Sequence, residues 1–151
     1  MWLSSTLDNI SSQYLKGNFM KKLMMIATAA MMVSGFAHAA GEQSDPREAH
    51  ESTVKTSTVK YSCQNGRKVT VKYGFNKQGI PTYAEAKLNG KTRFMPINLN
   101  TTDATGTNFG DENNFSLYGD PMEFDNHRKA EMSIQSPSSE ILYKFCKPRK
   151  S

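Results

Sequence analysis

Residues that carry out chemistry are scarce in this chain. Its 151 residues include two cysteines and three histidines, and with His38 set aside as part of a leader only His50 and His127 remain. A serine or cysteine nucleophile needs a base beside it, and no G-x-S-x-G elbow is present. Two histidines, with two cysteines free to pair with each other, make a poor four-ligand zinc set. Gly74 and Gly79 have P-loop spacing, but Ile80 stands where the lysine belongs and a turn fits better. Asp111, Glu112, Asp120, Glu123 and Asp125 could supply a glycosidase pair, yet a chain this small has little room for a cleft that holds several sugar rings. The expectation is a protein that is not an enzyme and uses no metal or cofactor.

Charge is missing where it matters most. After Met20-Lys21-Lys22 no charged residue occurs from Leu23 to Phe36, and Ala37-His38-Ala39 comes next. A cationic head, an apolar segment and an A-x-A triplet are the parts of a secretory signal peptide. The apolar run is too short to span a bilayer comfortably and lacks a charged stop-transfer flank. Position 40 is alanine, so the lipid-attachment cysteine of a lipoprotein is absent. The reading is therefore an upstream extension at 1–19, a signal peptide at 20–39 and cleavage between Ala39 and Ala40. It places the mature protein in the periplasm or at the outer-membrane surface.

The mature chain is nearly balanced in charge. Against 19 basic and 14 acidic residues overall, Lys16, Lys21, Lys22 and Asp8 fall before the cleavage point, leaving 16 and 13. That small excess does not argue for nucleic acid. Cys63 and Cys146 both remain, and an oxidising compartment permits them one pairing.

Helical periodicity is also lacking. Residues 40–53 are polar and read as a flexible N-terminal arm. From 54 to 151 short alternating runs are separated by turn residues. Val59, Tyr61 and Cys63 share a face, and Asn65-Gly66 leads into the alternating run Lys68 to Phe75. Ala84, Ala86 and Leu88 form another apolar face before Asn89-Gly90 turns into Lys91 to Leu99. Shorter runs occupy 107–110, 115–118 and 130–134, and Ile141, Tyr143 and Phe145 are expected on one face of the last strand. About eight strands with cysteines in the first and last predict a small antiparallel β-barrel, its ends joined by one disulfide.

The run Tyr61-Ser62-Cys63-Gln64-Asn65-Gly66-Arg67-Lys68-Val69-Thr70-Val71-Lys72-Tyr73-Gly74-Phe75-Asn76-Lys77-Gln78-Gly79 closely resembles the adhesin complex proteins of Neisseria. The resemblance continues through Thr82-Tyr83-Ala84, Asn89-Gly90-Lys91 and Met95-Pro96-Ile97-Asn98-Leu99 to the C-terminal cysteine. That family is related to the membrane-bound and periplasmic inhibitors of c-type lysozyme. The resemblance implies an eight-stranded antiparallel barrel with one disulfide, and an exported protein that blocks the cleft of a host c-type lysozyme. It also implies a role in adhesion. The inhibitors carry Ser-Gly-x-x-Tyr, matched here by Thr105-Gly106-Thr107-Asn108-Phe109. Their downstream lysine has no counterpart, since Tyr118-Gly119-Asp120 stands in that neighbourhood.

A c-type lysozyme works with a carboxylic acid and a carboxylate across the scissile bond. A blocking surface should offer those groups hydrogen-bond donors from a stiff frame. Thr105, Gly106, Asn108 and Tyr118 are the expected contacts, and Asp120, Glu123 and Asp125 in the loop 119–127 suit a basic target. Met122 and Phe124 are either apolar anchors or a cap on the barrel end. The alternative is an adhesin without lysozyme inhibition, binding a host protein or acidic glycan through cations such as Lys60, Lys72, Lys87, Lys91 and Arg93. Alternating strands nevertheless put cations on a solvated face by default. A host cell surface and a second copy of the chain are the other partners left open.

Overall fold

The computed structural model describes residues 44–150. The expected leader, cleavage point and upstream extension lie outside the described residues. Eight strands run in chain order: β1 (Lys55–Ser62), β2 (Lys68–Phe75), β3 (Pro81–Leu88), β4 (Lys91–Pro96), β5 (Thr107–Gly110), β6 (Ser116–Gly119), β7 (Met132–Gln135) and β8 (Ile141–Pro148). All pair antiparallel, in the order β4-β3-β2-β1-β8-β7-β6-β5. The first and last strands are therefore neighbours at the middle of the sheet, and its edges, β4 and β5, curl toward each other. An Ile97↔Phe109 bridge joins these edges. Asn98 adds a backbone N–H bond to the Asn108 carbonyl at 2.8 Å and an Nδ2 bond to the Gly110 carbonyl at 2.9 Å. The result is a nearly closed eight-stranded barrel with one disulfide.

The turns form where the sequence supplies residues that accept positive φ. Asn65 (58°) and Gly66 (71°) carry β1 into β2, and Asn89 (51°) and Gly90 (77°) close the two-residue β3–β4 hairpin. Period-two alternation then fills the inside. Val59 and Tyr61 of β1, Val71, Tyr73 and Phe75 of β2, and Ala84, Ala86 and Leu88 of β3 are all buried. Phe109, Leu117 and Ile134 complete the core from the other half. Tyr61 and Tyr73 bring hydroxyls into this apolar space and bond to each other at 3.0 Å. Burial pushes the Tyr61 phenol up to about 12 and raises Tyr73 in the same direction.

β1 and β8 meet over only two register pairs, Tyr61↔Pro148 and Ser62↔Lys147. Cys63 and Cys146 extend that register by one step and are disulfide-bonded. The bridge thus fastens the short seam between the two halves of the barrel.

Two expectations need correction. Residues 46–51, read as part of a flexible arm, form helix α1 (Pro46–Glu51). Asp45 caps it by accepting the Arg47 N–H at 2.7 Å, and proline occupies its first position. Ala49 is buried where α1 packs on β3 and β4. One buried side chain in a single turn leaves no periodic trace in the sequence. The second correction concerns β8. Ile141 and Phe145 are exposed, while Tyr143 packs against the core. The β7–β8 register runs Met132↔Cys146, Ile134↔Tyr143 and Gln135↔Ile141, so β8 holds extra residues. A bulge of this kind turns the succeeding residues of the strand to the opposite face.

Candidate functional site

The outer face of β5, β6, β7 and β8 carries a groove of about 400 Å³. It is lined by Thr105, Gly106, Asn108, Tyr118, Gly119, Asp120, Glu131, Met132, Ser133 and Phe145. Five of the residues expected from sequence therefore converge: Thr105, Gly106, Asn108, Tyr118 and Asp120. Register brings them together, because β5 lies on β6 with Asn108 opposite Tyr118 and Thr107 opposite Gly119. The packing is tight at Gly106, where a Cβ would come within 3.1 Å of the Gly119 carbonyl oxygen.

The hydrogen bonds decide which groups remain available. The Thr105 hydroxyl donates to Asp103 Oδ1 at 2.6 Å, and the Thr105 N–H donates to the same oxygen at 2.7 Å. These bonds hold the Asp103 carboxyl below its ordinary range, the hydroxyl bond being the largest cause. Asn108 spends its Nδ2 on the Thr101 carbonyl, and its backbone N–H bonds the Thr102 hydroxyl at 2.9 Å. Both expected donors are thus committed to stiffening the loop. Tyr118 differs: Ser116 Oγ donates to its hydroxyl at 3.2 Å, which leaves the phenolic proton free to point outward. Asp120 Oδ2 accepts the Glu131 N–H at 2.8 Å, and Glu131 lies 3.2 Å from Lys147. Two carboxylates therefore sit on the rim.

Phe145 is the residue sequence reasoning missed. It is 60% exposed and sits at φ 49°. A bulky side chain in the left-handed region is strained. Neither its exposure nor its strain serves stability, and such combinations gather at functional sites. Its N–H donates to Ser133 Oγ at 3.3 Å. A parity argument could have found it: Tyr143 and Cys146 both face inward, and an odd spacing between two inward residues requires a bulge. Glu131, Met132 and Ser133 were likewise not anticipated.

The other expected residues lie elsewhere. Glu123 and Asp125 are exposed on the adjoining turn and do not line the groove. Met122 is 4% exposed and Phe124 packs edge-on to Phe75 at 5.3 Å, so this pair caps the barrel end. His127 completes the cap. Its Nδ1 faces the Phe124 carbonyl, which can only accept, so Nδ1 carries the proton and Nε2 accepts from the Ser57 hydroxyl at 2.7 Å. Burial lowers its affinity for a second proton.

The profile of the ACP-like domain family matches residues 57–148, from β1 to the end of β8. The chain belongs to the ACP-like family. Among solved structures it is similar to the adhesin complex protein from Neisseria meningitidis, at 44% identity and a TM-score of 0.60. The match covers 62% of this chain and all of that one. No curated protein matches. Membership covers every strand and both cysteines, so the ACP-like barrel is the frame on which the groove is built. Among the described residues, no helix is long and apolar enough to cross a membrane.

Proposed function

We propose that this protein is exported and binds a c-type lysozyme through the β5–β8 groove, closing the enzyme's cleft. The observation that carries the reading is the convergence of Thr105, Gly106, Asn108, Tyr118 and Asp120 on one groove beside a strained, exposed Phe145. The resemblance of the sequence to the relatives of the lysozyme inhibitors supplies the target. Tyr118 supplies a phenolic donor for an enzyme carboxylate, and Phe145 an aromatic anchor of the kind that dominates interface energetics. Thr105, Gly106 and Asn108 form the stiff edge, so little loop entropy is lost on docking. Asp120 and Glu131, with Glu123 and Asp125 nearby, give this side a negative field that speeds encounter with a basic protein. The role is binding, not catalysis.

The test is lysis of a peptidoglycan suspension by a c-type lysozyme with increasing amounts of the purified protein. The expected result is saturable loss of lysis. Unchanged lysis at large molar excess of folded, disulfide-bonded protein overturns the reading. A second reading, attachment to a host surface, is supported by the name of the meningococcal structure, an adhesin complex protein. It needs no effect on lysozyme, and binding of labelled protein to host cells tests it.

A further inference from the structure

A second groove lies away from the first and shares no lining residue with it. Three separate parts of the chain build it: Thr58, Val59 and Lys60 of β1, Arg128 and Lys129 of the capping loop, and Arg149 and Lys150 after β8. Five of its seven lining residues are cationic and none is acidic. The frame is fixed. The Arg149 N–H donates to the Lys60 carbonyl at 2.8 Å, extending the β1–β8 ladder, and Arg128 Nη2 donates to Ser57 Oγ at 3.0 Å. The ion pairs among the described residues are Lys72–Glu85 and Lys147–Glu131, so none neutralises a groove cation. Of the 16 basic residues after Ala39 these five leave 11 against 13 acidic ones, so the remaining surface is slightly acidic. The positive charge of the domain is concentrated here, and cations converging on a concave surface reinforce one another's field.

We propose that this groove binds a linear acidic polysaccharide, with sulfate or uronate groups paired to Lys60, Arg128, Lys129, Arg149 and Lys150. The lining chooses among polyanions. No aromatic side chain lines it, so it lacks the stacking platform that single-stranded nucleic acid uses. None of the large exposed apolar side chains lies in it, so it has nothing to insert into a lipid surface. Thr58 and the arginine forks can instead serve the hydroxyls and planar anions of an acidic sugar. The proposal gives the adhesion reading a ligand class and a site, and rests on that reading only for its biological setting.

The experiment is calorimetric titration of the purified, disulfide-bonded protein with a heparin octasaccharide, alongside a thymidine oligonucleotide and phosphatidylglycerol vesicles. The octasaccharide should bind, and its affinity should fall steeply with salt. A Lys60→Gln, Arg149→Gln, Lys150→Gln variant should lose about tenfold or more in affinity and flatten the salt dependence. Lys129→Gln should weaken binding from a different segment. Lys77→Gln, Lys87→Gln, Lys91→Gln, an equal loss of charge outside the groove, should change affinity less than about twofold. Equal losses in the two triple variants, no binding at low salt, or tighter binding of the oligonucleotide or vesicles overturn the proposal. Undiminished attachment of the groove variant to host cells would also overturn it while leaving adhesion standing. Lysozyme inhibition should be the same in both triple variants.

Discussion

Phe145 separates function from stability. At φ 49° and 60% exposed it adds strain and little burial. Phe145→Gly should leave thermal stability unchanged or raise it by up to about 1 kcal/mol, because glycine removes the left-handed penalty. The same change should weaken lysozyme binding by about 2 kcal/mol if the ring is an anchor. A variant that loses stability and inhibition in parallel would contradict this. Tyr118→Phe removes the outward proton together with the acceptor of the Ser116 hydroxyl, and should cost about 1 kcal/mol of binding and no more than about 1 kcal/mol of stability. His127 gives a pH signature. Its folded-state proton affinity is lowered, chiefly by burial, so the neutral ring stabilises the fold above the ordinary histidine range. Stability should decline as pH falls from near neutral through that lowered value, because the unfolded chain takes up the proton first. His127→Gln should flatten the melting-temperature profile over that window.

Among the elements, alternation and turn chemistry made the barrel readable. β2 alternates from Lys68 to Tyr73 and β3 from Ala84 to Leu88, and Asn65-Gly66 and Asn89-Gly90 occupy positive φ as their types require. The groove was half readable, because Thr105 to Asn108 and Tyr118 to Asp120 lie on paired strands and one register joins them. The features that escaped were set by tertiary context. Helix α1 packs Ala49 against β3 and β4, and β8 bulges between Tyr143 and Cys146, the residue bonded to Cys63. Glu123 and Asp125 belong by charge but not by place, since composition does not say which way a loop faces. The β5–β6 turn offers a sharp test. Gly110 sits at φ 75°, and a Cβ there would meet the Phe115 carbonyl oxygen at 2.1 Å. Gly110→Ala should cost about 2–3 kcal/mol. That is a fall of roughly 10 °C or more in melting temperature for a domain this size. A drop of a degree or two would mean that the turn relaxes.

At the scale of the whole molecule, the β1–β8 side of the barrel is joined by a seam of two residue pairs and one covalent bond, opposite the Ile97↔Phe109 closure of the two edges. The chain-entropy argument gives that bond about 4 kcal/mol, since it closes a loop between residues 83 apart in sequence. Cys63→Ser with Cys146→Ser should lower the melting temperature by about 20 °C. The variant should open first at the β1–β8 seam, detectable as early hydrogen exchange at Tyr61 and Ser62. Exchange that begins instead in β2 or β3 would contradict it. The placement of the bond has a mechanical consequence as well. Tension applied through the two ends of the domain runs along β1 to Cys63, crosses the sulfurs and leaves along β8 from Cys146. Everything between them is bypassed, so a pulled molecule can lengthen only by its short outer segments. Reducing the bond would release the bypassed stretch, about 280 Å of additional contour at full extension. A surface protein exposed to shear would thus yield along β1 and residues 147–150, which help to line the cationic groove, while the strands that bear the β5–β8 groove stay slack and folded.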